Sequence, residues 1–116
     1  MFEQIKKDSP GAWEMFVNWI IQNAALIPYL NQEQFIINVS VEFLIGWLFR
    51  FFDEQGIYID INFIDPKNKW DCTIWLYSEH GGMVAEECGG SKSRIKAWQA
   101  AIPKAFEIYQ KQLEEK

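Results

Sequence analysis

This chain lacks a basic surplus, a long apolar run and any assembled catalytic set, and each absence excludes something. With 11 basic against 16 acidic residues the formal net charge is −5, which argues against a partner held mainly through phosphates, since such proteins carry excess Lys and Arg. The longest apolar stretch, Val39 to Phe52, is broken by Ser40, Glu42 and Arg50 and falls short of the roughly 20 residues that span a bilayer. The amino terminus, MFEQIKKDSPG, has no secretory apolar core. No membrane association is therefore expected, and a reducing cytoplasm is the expected compartment. Cys72, Cys88 and His80 are the only Cys and His residues, one ligand short of a structural zinc site. No catalytic, cofactor or metal residues can be assembled, and an enzyme is not expected.

What the chain does have is apolar bulk. Of its 116 residues 49% are apolar and 16% aromatic, including six Trp and nine Phe, which is a folding composition and the opposite of a disordered one. The length suits one domain, 1–116, with a single core. Charge is uneven: acids outnumber bases nine to three from Met1 to Asp65, whereas eight bases face seven acids from Pro66 onward.

Ser9 before Pro10 reads as a helix start, with Trp13, Phe16, Val17, Ile20 and Ala24 as the buried stripe of a helix over Pro10 to Ala25. Pro28 interrupts, and Asn31 caps a short turn through Phe35 and Ile37. A second helix follows Ser40, with a broad apolar face through Val41, Leu44, Ile45, Trp47, Leu48, Phe51 and Phe52, and stops at Gly56.

Period-two alternation then takes over. Ile57, Ile59, Ile61 and Phe63 form one face of a strand, and Trp70, Cys72, Ile74 and Leu76 form one face of the next. Sharing a face requires Phe63 opposite Trp70, with Ile64 to Lys69, including Asp65-Pro66, in the connection. A second turn at Ser78 to Gly82 leads to a weaker strand, Met83 to Cys88, closed by Gly89-Gly90. A last helix capped by Ser91 or Ser93 buries Ile95, Trp98, Ile102, Ala105, Phe106, Tyr109 and Leu113, with Pro103 on its polar side as a kink and not a break. Tyr58, Trp75 and Tyr77 on the second sheet face call for cover. The expected fold is α+β: a three-stranded antiparallel sheet packed between helices in the order α-α-β-β-β-α.

The segments Phe51-Phe52-Asp53-Glu54-Gln55-Gly56-Ile57-Tyr58-Ile59, Ser91-Lys92-Ser93-Arg94 and Ala100-Ala101-Ile102-Pro103-Lys104-Ala105-Phe106-Glu107-Ile108 resemble a family of small phage and prophage proteins of gut bacteria. More distantly, the chain is similar to the phage α/β/α-sandwich domain. The resemblance implies a phage-related origin and brings no catalytic residues with it.

Several residues are candidates for function. Lys92, Arg94 and Lys96 stand at the start of the last helix after Gly89-Gly90, an order that also resembles the double-stranded-RNA-binding domain and could contact phosphate. Ser93 stands in place of that domain's second lysine, and Glu86 and Glu87 crowd the site. Pairing Tyr77 with Met83 sets Cys72 opposite Cys88 within disulfide reach, although reduced, buried thiols are the expectation in a cytoplasm. His80 reads as an exposed turn residue, and Asp53, Glu54 and Asp60 as an acidic cluster that could attract a metal or a basic partner. Trp19 and Trp75 are the two tryptophans expected near the surface, available to a partner or a second copy of the chain. The reading that gathers these features is a small phage or prophage interaction or inhibitor protein, acting on a host or phage protein. A nucleic-acid-binding module and a toxin-neutralising immunity protein are the alternatives.

Overall fold

A computed structural model of the chain describes residues 1–24, 32–64, 67–78 and 81–115. Its elements are α1 (Phe2–Asp8), α2 (Pro10–Ala24), α3 (Gln32–Asn38), α4 (Val41–Glu54), β1 (Ile57–Ile64), β2 (Lys69–Ser78), β3 (Gly81–Ser91) and α5 (Arg94–Glu114). The expectations placed on Pro28, Asn31, Asp65, Pro66 and His80 fall outside the described residues. The fold is α+β, with an antiparallel sheet in the order β1-β2-β3 and helices packed against it.

The helix signals act through specific hydrogen bonds. Ser40 accepts from the Phe43 N–H at 3.4 Å to cap α4, and Ser93, of the two serines proposed, accepts from the Lys96 N–H at 3.0 Å to cap α5. Gly56 ends α4 with φ of 76°, a backbone that side-chain-bearing residues adopt at a cost, and so turns the chain into β1. Helix α5 runs through Pro103 without a break. The missing N–H of Pro103 leaves the carbonyl of exposed Gln99, four residues back, open to water.

Sequence periodicity did not mark α1. Seven residues with four charges make a poor isolated helix, and tertiary packing holds it: Phe2 and Ile5 are buried, with the Phe2 ring 5.7 Å from that of Trp13. Ser9 joins α1 to α2 through its backbone. Its N–H donates to the Ile5 carbonyl at 2.8 Å, and its carbonyl accepts from the Trp13 N–H at 2.9 Å. Gln110, far away on α5, accepts from the Ala12 N–H at 2.9 Å, satisfying one of the free amides in the first turn of α2 and pinning that helix to α5.

The core lies between α5 and the other helices on one side and a single sheet face on the other. Phe106 is its centre, with ring centroids 6.2 Å from Trp13, 5.7 Å from Phe16 and 5.0 Å from Phe52. Ile57, Ile59, Cys72, Ile74 and Cys88 close it from the sheet. The β1–β2 register pairs Phe63 with Trp70, as the alternation requires, and the ladder runs one pair further, to Ile64–Lys69. That leaves the connection at 65–68, with Asn68 at φ 52°.

The β2–β3 hairpin departs from expectation. Tyr77 pairs with Gly82, not Met83, and the register shifts between Ile74–Glu86 and Trp75–Val84, so Ala85 is an extra residue on β3. Beyond this bulge Cys72 still meets Cys88. The two are joined by a disulfide, at a Cα separation of 5.0 Å, which corrects the expectation of free buried thiols. The physical reason is the ladder: it holds the two backbones at a spacing that suits the bond.

Candidate functional site

Alternation divides the sheet into two faces of different character. Opposite the core, β1 presents Tyr58, Asp60 and Asn62, and β2 presents Asp71, Thr73, Trp75 and Tyr77. On β3, Val84 lies beside Trp75 and Glu87 beside Thr73. Among the described residues no helix packs on this face: Tyr58 is 40% exposed, Tyr77 54% and Val84 43%. Helices α4 and α5 both lie over the core face, where Phe49 and Trp98 pack ring to ring at 4.0 Å. The helical cover expected over Tyr58, Trp75 and Tyr77 is therefore not found there.

The open face is ordered by its own contacts. Tyr58 and Trp75 are direct cross-strand partners, and the Tyr58 and Tyr77 rings meet edge to face at 5.9 Å. Tyr77 also lies over Gly82, where an added Cβ would come within 3.0 Å of its ring. Asn62 donates to the Asp60 carboxylate at 3.0 Å, and Lys69 and Asp71 both reach over Gly90. Among the described residues Asp60, Asp71 and Glu87 thus give this face three carboxylates, against the ammonium of Lys69. Three neighbouring aromatic side chains with carboxylates at one end of the patch, around Thr73, form a surface that attracts cations through both ring faces and charge.

No family model, curated protein or solved structure matches this chain.

A second aromatic surface sits on the helices. Trp19 packs at 6.1 Å against Trp47 and 5.7 Å against Phe51, and the Arg50 guanidinium lies 5.2 Å from the Trp47 ring and 5.9 Å from that of Trp19. Trp19 and Trp75 are partly exposed, and so are Trp47 and Trp70. Sequence reasoning missed Phe43, the most exposed phenylalanine of α4 at 56%. Its spacing to Trp47 reads equally well as core, because the apolar face of α4 is wider than the surface it buries.

The basic candidates Lys92, Arg94 and Lys96 are exposed at the start of α5, and the Arg94 guanidinium lies 5.6 Å from the Trp70 ring. Glu86 does not crowd this site. It faces α5 and forms an ion pair with Lys104 at 3.0 Å, more than two helical turns from Ser93. The acidic candidates separate: Asp60 lies on the open sheet face, and Asp53 and Glu54 end α4. Among the described residues no group of three His, Cys, Asp or Glu side chains could hold a metal ion, and no helix is long and apolar enough to cross a membrane.

A groove of about 440 Å³ between the first helices is lined by Lys6, Pro10, Trp13, Glu14, Val17, Asn18 and Glu33. Three of its lining side chains are engaged with one another: Glu33 pairs with Lys6 and accepts from the Trp13 indole N–H at 3.3 Å. The hydrogen bond from Lys6, then that from Trp13, hold the Glu33 carboxyl below its ordinary range. The chemistry fits a buried indole donor supplied with a carboxylate partner.

Proposed function

We propose that this chain is a non-enzymatic protein-binding module whose open sheet face takes an extended Lys- and Arg-rich segment of another protein. In keeping with the resemblance to phage and prophage proteins, the partner is a host or phage protein, and occupying its basic segment is the means of inhibition. The observation that carries the reading is the contiguous Tyr58, Trp75 and Tyr77 surface with Asp60, Asp71 and Glu87 gathered at one end of it. Exposed aromatics supply interface anchors with little conformational entropy to lose, and stacking of a guanidinium on a ring adds about 0.5–1 kcal/mol per contact at an exposed site. The overall charge of −5 steers a basic partner toward the chain and repels an acidic one.

The test is a titration with two synthetic peptides of equal length, one alternating Arg with Gly and one alternating Glu with Gly. Saturable binding of the first alone, weakened at least about fivefold by Tyr77→Ser and by Asp60→Asn, supports the reading, fivefold being about 1 kcal/mol. Equal binding of both peptides, or binding indifferent to both substitutions, rejects it.

A further inference from the structure

Helix α4 carries a second surface with a symmetry of its own. Gly46 lies exposed in mid-helix, and a Cβ built there meets no atom within 4 Å. An exposed glycine inside a helix is destabilising relative to alanine, so a role outside the folded monomer gives it a reason. It forms the floor of a groove of about 260 Å³ lined by Phe43, Gly46, Trp47 and Arg50. Glu42 stands four residues before Gly46 and Arg50 four residues after, both exposed, and among the described residues neither forms an ion pair.

We propose that two copies of the chain pair through α4, antiparallel about a twofold axis at Gly46, so that Glu42 of each copy faces Arg50 of the other. An isologous interface must be self-complementary, and opposite charges equidistant from a central residue meet that condition when two helices run antiparallel. At the crossing point the absent side chain lets the backbones approach closely, while Phe43 and Trp47 flank it with apolar surface. Arg50 is already held against the Trp19 and Trp47 rings, which lowers the entropy lost on pairing. The pairing leaves the open sheet face free and is independent of the function proposed for it.

Sedimentation equilibrium of the full chain tests this, with an expected dimer dissociation constant of about 10–100 μM, the weak range that suits a buried area below about 1,200 Å². Glu42→Arg and Arg50→Glu should each weaken dimerisation at least about tenfold, and the double reversal should recover at least about fivefold over either single change. Gly46→Leu should weaken it at least about tenfold while raising the melting temperature of the dilute monomer, since leucine is the better helix former. That opposite movement separates loss of pairing from loss of folding. A chain that stays monomeric to about 1 mM, a double reversal no tighter than the singles, or a Gly46→Leu variant that dimerises unchanged would overturn the proposal.

Discussion

Cys72 lies directly across the β2–β3 ladder from Cys88, and a single extra residue, Ala85, separates their pairing from the hairpin register set at Tyr77 and Gly82. The bond ties an edge strand to the central one beneath α5, both sulfurs being buried. A cross-link with a sequence separation of 16 restricts the unfolded chain, which by loop entropy amounts to about 3 kcal/mol. Urea unfolding with and without reductant should therefore differ by about 2–4 kcal/mol. A Cys72→Ala, Cys88→Ala double variant should respond to reductant not at all.

Gly56 and Gly46 make opposite predictions. At Gly56 the φ of 76° and the Tyr77 carbonyl 3.1 Å from a built Cβ make Gly56→Ala destabilising by about 1–2 kcal/mol. Gly46 has helical backbone and open space, so Gly46→Ala should stabilise the dilute monomer by about 0.5–1 kcal/mol. Thermal unfolding at low protein concentration reads both.

Phe106 meets the rings of Trp13, Phe16 and Phe52 and is fully buried. Phe106→Ala should cost about 3–5 kcal/mol by transfer and cavity terms together, measurable by denaturant titration. Loss of under about 1 kcal/mol would mean that the core is not centred on this ring.

Much of this architecture was legible in the sequence. Strict alternation fixed the Phe63–Trp70 register, and the serine caps and the Gly56 stop follow from backbone chemistry that any helix end must satisfy. The hairpin bulge was not legible, because Val84-Ala85-Glu86 contains no glycine or proline to mark the extra residue, and a bulge-free ladder starting from Tyr77 and Met83 would pair the same two cysteines. Helix α1 escaped because its stability comes from Phe2 and Ile5 docking on distant residues. The open face was half legible: Tyr58, Trp75 and Tyr77 could be set on one side, but whether a helix covers them depends on where α4 packs, and the Phe49–Trp98 contact that decides this links residues 49 positions apart in the chain.

The Glu33 carboxyl titrates below its ordinary value of 4.5 through its bonds to Lys6 and Trp13. A folded value below the unfolded one means that the stabilisation is fully present above about pH 4.5 and is lost as pH falls through the lower, folded value. The pair is largely exposed, so the contribution stays within about 1 kcal/mol. Glu33→Gln should be less stable than the parent at pH 7, and the gap should narrow steadily below pH 4.5. A gap that widens toward acid would contradict this assignment.

The most direct measurement of the central claim is a residue-resolved NMR map of the ¹⁵N-labelled chain titrated with the Arg-Gly peptide. The account predicts shifts that saturate at Tyr58, Asp60, Thr73, Trp75, Tyr77 and Val84, while Lys96, Gln99 and Lys111 on the outer side of α5 stay still. Shifts confined to other acidic positions such as Glu3, Glu14 and Glu107, or no saturable shift at the sheet face, would contradict it.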